Sequence, residues 1–191
     1  MSPTGYDMFW TNPPDNKAES EAARQDFNQA IAMRDKYERD SEEHVAAQVL
    51  VQQAYDALQH SQPEYFRLNI WGMSSARETM RDFGMICEAE PHTREQWDEV
   101  NERAEKTDDE AEREEIYRWI LTDHNGECPG IPWWKLSDNS GWYVLPAEIR
   151  PALHAYLTRR KNGQEPPDYQ WWSEWIEWLG AAAEHGGFRV F

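Results

Sequence analysis

Between Glu88 and Glu115 the chain carries thirteen acidic side chains against four basic ones. Glu95, Asp98, Glu99 and Glu102 recur at spacings of three and four, which on a helix places their carboxylates on one surface. Asp108, Asp109 and Glu112 repeat the pattern on the next predicted helix, and Glu115 continues it. Such a surface suits a basic protein partner, either as a docking face or as an imitation of a phosphate array. Two solvated helix faces that only keep the protein soluble would leave the same pattern.

A second constellation is aromatic and basic. Trp133 and Trp134 sit in a proline-bounded loop, with Trp142 shortly after. Arg77 and Arg81 stand four apart on a predicted helix whose start carries Ser74 and Ser75, a place where an anion could bind. Together these residues could line a small-ligand pocket in a binding domain or an enzyme. A third set has the arithmetic of a tetrahedral zinc site, with Cys87 beside His92 and His124 beside Cys128. Its spacing matches no finger or ribbon, so neither a metal nor a cofactor is expected. The nucleophile elbow, the phosphate-cradling glycine loop and the paired-histidine zinc motif are all missing, which points away from catalysis.

Charge narrows the partners. Of the 191 residues, 36 are Asp or Glu and 19 are Lys or Arg, a formal net charge of −17. A phosphate backbone or an anionic membrane repels such a field, so direct nucleic-acid and membrane binding are not expected. No stretch reaches the roughly 18 to 20 apolar residues of a spanning helix, and Met1 to Trp10 does not read as a secretory leader. A cytoplasmic protein with reduced thiols is the expectation, one disulfide between Cys87 and Cys128 remaining open.

The elements that must hold these groups follow from pattern. Residues 1–16 read as an irregular lead-in, and 17–62 as a helical arm free of Gly and Pro before its end. The arm is one long helix, or a hairpin if Asp40 and Glu43 form a capping box near Ser41. Its apolar stripes are narrow, which suggests that it lies on the body or on a second copy. Residues 63–191 form a compact body rich in tryptophan, of which the chain has 11. Strands are predicted at Tyr65–Trp71, Met85–Cys87, Trp142–Leu145 and, as an edge, Phe188–Phe191. Helices are predicted from Ser74 or Ser75 to Arg81, at Thr93–Lys106, at Asp108–Thr122 with Ile116, Trp119 and Ile120 facing the core, and up to Arg160. That last one begins at Pro146, or only at Pro151. A final helix, Tyr169–Glu184, buries Trp171, Trp175, Trp178 and Ala182 along one stripe.

The expected fold is α+β with helix predominant: about five or six helices around an antiparallel sheet of three or four strands. An all-α fold is the alternative. The expected function is that of a non-catalytic acidic protein that docks on a basic partner, as inhibitors, immunity-type proteins and phosphate-mimicking antagonists do. The alternatives are the tryptophan-lined ligand pocket and an assembly protein that self-associates through residues 17–60.

Overall fold

The computed structural model describes residues 5–15, 17–39, 41–122 and 127–191. Asp40, Asn125 and Gly126, to which the sequence assigns a cap and a turn, lie outside them. Among the described residues there are seven α-helices, a four-stranded antiparallel sheet and a two-stranded parallel pair: α+β, with helix predominant. The chain divides into two compact units, residues 14–65 and residues 1–13 together with 66–191.

The first unit holds α1 (Lys17–Arg34) and α2 (Glu42–His60). Ser41 Oγ accepts from the His44 amide at 3.1 Å and so starts α2, separating it from α1 by a turn. Phe27 meets Tyr55 at 5.7 Å between ring centres, and Gln62 bonds Ser20 at 2.7 Å. Val45, Val49 and Leu50 of α2 are all exposed.

The second unit is built on four strands, β1 (Gly5–Trp10), β2 (Tyr65–Asn69), β5 (Trp142–Val144) and β6 (Phe188–Val190), in the order β2-β1-β6-β5. Two findings differ from the sequence expectation. Residues 5–10 are a strand rather than part of a lead-in, because the alternation of Tyr6, Met8 and Trp10 gives β1 a buried face. The carboxyl-terminal strand is interior rather than an edge, since β6 pairs with β1 on one side and β5 on the other. The short β3 (Ile86–Cys87) and β4 (Ile131–Pro132) form the separate parallel pair.

Helix starts are set by capping. Asn69 Oδ1 accepts from the Gly72 amide at 2.7 Å, so α3 (Ile70–Asp82) begins where a strand was expected to continue. Ser74 and Ser75 therefore lie inside α3 rather than at its amino end. The helix α6 (Pro146–Lys161) starts at its first proline, which needs no amide partner there, and tolerates Pro151 in its interior. Beneath the sheet, α7 (Trp172–Glu184) buries Trp172, Trp175, Trp178, Leu179 and Ala182. The indoles of Trp175 and Trp178 stack at 5.6 Å and meet Phe188 at 6.1 and 5.1 Å. Each buried indole removes about 150–250 Å² from water, about 4–6 kcal/mol as an upper figure. This contact anchors the sheet on α7. At the turn before β6, Gly187 has φ +89° and a Cβ there would strike the Val144 carbonyl, so only glycine fits.

The helices α4 (Arg94–Ala104) and α5 (Glu110–Thr122) precede a single 3₁₀ turn, Trp133–Leu136. Lys135 in that turn is fully buried. Its Nζ donates to the carbonyls of Thr122 at 2.5 Å and Tyr143 at 2.8 Å, and to Glu148 Oε1 at 2.7 Å. Glu148 Oε2 accepts from the Leu145 amide at 2.7 Å and so closes the start of α6. Replacing Lys135 with Met should strand the Glu148 charge and cost about 3–5 kcal/mol. In urea denaturation, a Lys135→Met/Glu148→Gln double variant should recover part of that loss; no recovery would show that the two groups are not coupled.

A candidate acidic docking groove

The acidic helices are fixed at both ends of α4 and at the start of α5. Thr93 and Gln96 cap α4 reciprocally: the Thr93 amide donates to Gln96 Oε1 at 2.8 Å, and the Gln96 amide to Thr93 Oγ1 at 3.4 Å. Asp109 caps α5, accepting from the Ala111 and Glu112 amides at 2.9 and 3.4 Å, so the helix starts two residues after Asp108. Arg113 donates to the carbonyls of Ala104 and Thr107, which ties the connecting turn to α5. Tyr117 Oη donates to Asn101 Oδ1 at 3.1 Å and holds the two helices side by side.

Glu95, Asp98, Glu99, Glu102, Asp108, Asp109 and Glu112 are all exposed. Asp98 meets Arg94 at 3.9 Å and Glu102 meets Lys106 at 2.7 Å, both across one helical turn with all four side chains largely in water. Such pairs contribute little. Glu112 accepts from the Thr107 hydroxyl at 2.5 Å. Among the described residues Glu95, Glu99 and Asp108 have no ion-pair partner. The backbone amide at the start of α4, and then the Thr93 hydroxyl, hold the Glu95 carboxyl below its ordinary range. The Lys106 ammonium, by hydrogen bond and charge, does the same for Glu102. Both groups therefore keep their charge further into acid than a free glutamate does.

Between the two helices lies a groove of about 520 Å³. Its floor is Val100, Ile116 and Trp119, and its rim is Glu99, Arg103, Glu112 and Glu115. Trp119 was expected in the core with Ile116 and Ile120. Ile120 alone is fully buried there; Trp119 is 46% exposed, with its ring 5.0 Å from that of His92. A period of 3.6 cannot put residues 116, 119 and 120 equally inward when the helix touches the body along one line. The groove was the part of this surface that sequence reasoning missed, although Trp119 stands one turn after Glu115.

The other candidate residues do not converge in the same way. Trp134 is buried and packs edge-on against Trp142 at 4.6 Å, while Trp133 is 37% exposed. Arg77 donates to the Leu136 carbonyl at 3.2 Å, near that turn, but Arg81 instead pairs with Glu88 at 3.2 Å. Neither arginine nor any of these three tryptophans lines the groove above or either of two further clefts in this unit. Cys87 and Cys128 are joined as a disulfide with Cα atoms 5.5 Å apart, and in that state neither offers a thiolate to a metal. His92 is buried against Trp119, and His124 lies outside the described residues. Among the described residues no three His, Cys, Asp or Glu side chains gather as a ligand set, and no helix is long and apolar enough to cross a membrane. No protein-family model, curated protein or solved structure matches the chain.

The disulfide spans 41 residues, the segment that contains α4 and α5. Chain-entropy arguments give a loop of that length about 4 kcal/mol. Adding dithiothreitol should therefore lower the urea midpoint markedly; an unchanged midpoint would mean that the bond does not form in solution.

Proposed function

We propose that this is a non-catalytic interaction protein whose α4–α5 hairpin docks on a basic protein, as an inhibitor, immunity-type protein or phosphate-mimicking antagonist does. The groove carries the reading: an apolar floor with a half-exposed tryptophan, inside a rim of three glutamates and one arginine. A tryptophan surrounded by charge is a composition that concentrates binding energy, because the ring supplies buried area while the rim selects the sign of the partner. The net charge of −17 adds long-range attraction for a basic surface. The cytoplasmic setting expected from composition sits poorly with the Cys87–Cys128 bond, which persists more readily in an oxidising compartment.

Capture from the native host with the full chain should retain a basic protein whose association rate falls steeply as salt rises. Trp119→Ala should weaken that complex by about 2 kcal/mol or more. Joint Glu99→Gln, Glu112→Gln and Glu115→Gln changes should flatten the salt dependence. Unaltered affinity in both variants would sink the proposal.

A second reading, self-association through residues 17–60, is favoured by the exposed Val45, Val49 and Leu50 of α2. Light scattering should then show an oligomer for the native chain and a monomer for Val45→Lys/Val49→Lys. A monomeric native chain rules it out.

A further inference from the structure

On β6, Arg189 lies in register between Phe9 of β1 and Tyr143 of β5. Residues directly opposite one another in antiparallel strands share a face, so the three form a row across the sheet. The Arg189 guanidinium lies over the Tyr143 ring at 4.5 Å and over the Phe191 ring at 4.6 Å. Gly141, at φ +82°, makes room for it: a Cβ there would come within 3.2 Å of the guanidinium. From α5, the Arg118 guanidinium approaches the same Tyr143 ring at 5.4 Å.

Among the described residues neither guanidinium has a carboxylate partner, in a chain with almost twice as many acids as bases. The buried Nε of Arg189 has no hydrogen-bond acceptor among the described residues. Two rigid forks, stacked on one ring with their donors unused, are prearranged for oxygen atoms in a plane. They open on a cleft of about 420 Å³, lined also by Arg113, Tyr117 and Leu121, a size suited to a small molecule. Glu110 and Glu114 line the same cleft. Their charge repels a polyanion and admits a compact head with one or two negative charges.

We infer that the cleft between α5 and the β5–β6 strands binds the carboxylate or phosphate head of a small organic anion, held by Arg118 and Arg189. The buried Nε of Arg189, which finds no acceptor among the described residues, is satisfied when such a head enters. The site is separate from the α4–α5 groove and does not depend on the docking proposal.

Inorganic phosphate and acetate, titrated separately into the full chain at constant ionic strength, test this by the ring-proton NMR shifts of Tyr143. One probe or both should give a saturable shift, and the one that saturates at lower concentration identifies the head. Arg189→Lys keeps the charge but loses the planar fork, and should weaken binding about tenfold. Arg118→Gln, at an exposed position on the surface of α5, should weaken it comparably and keeps the test valid if Arg189→Lys unfolds. Absence of saturation with both probes overturns the inference, as does an undiminished response in the folded variants.

Discussion

A buried lysine sets the constraints on the 66–191 body. An ammonium withdrawn from water must have its donors matched, and Lys135 finds acceptors on three different elements: the end of α5, strand β5 and the first turn of α6. Displacing any one of them exposes a charge to an apolar surround. The contact at the Thr122 carbonyl also places positive charge at the carboxyl end of α5, where the helix dipole favours it. The position of α5 is thus fixed by electrostatics at one end and by the Asp109 cap at the other.

With α5 fixed, each of its sides has a different role. Ile120 faces inward, Trp119 and Ile116 turn toward α4, and Arg118 reaches over Tyr143. The sheet is divided in a similar way. Met8, Phe188, Val190 and Val144 pack toward the tryptophans of α7, while Phe9, Arg189 and Tyr143 occupy the opposite face. Hydrophobic burial on one face leaves the other free to carry aromatic rings and guanidinium groups. One helix and one sheet edge therefore present both an acidic groove and a basic cleft within a strongly acidic chain.

Much of this was legible in the sequence where a pattern is local. The Trp175, Trp178 and Ala182 stripe of α7, the acidic spacing on α4 and α5, and the α+β class all follow from periodicity and charge, whereas Trp171, read on the same stripe, precedes the helix and is only half-buried. What was not legible depends on contacts between distant residues. Nothing near Gly5–Trp10 announces that it pairs with Phe188–Val190, and that pairing, with β2 and β5 on the outer sides, makes a supposed lead-in and an edge into interior strands. The start of α3 was misplaced because Asn69 caps it, which the serines five and six residues later obscured. Nothing in the local pattern marks Lys135 as buried, since the acceptors at Thr122, Tyr143 and Glu148 lie 8 to 13 residues away. Arg189 had no visible role until its neighbours across the sheet were known.

The bond between Cys87 and Cys128 has a consequence for the integrity of the chain. It joins the end of β3 to the approach to β4, strands that already run side by side in parallel, so the acidic hairpin leaves and re-enters the body through one cross-linked neck. A protease that cuts anywhere within that excursion breaks the backbone without releasing a fragment. The severed halves travel as one molecule until a reductant parts them, and such damage would show on a gel run with thiol and stay hidden on one run without it.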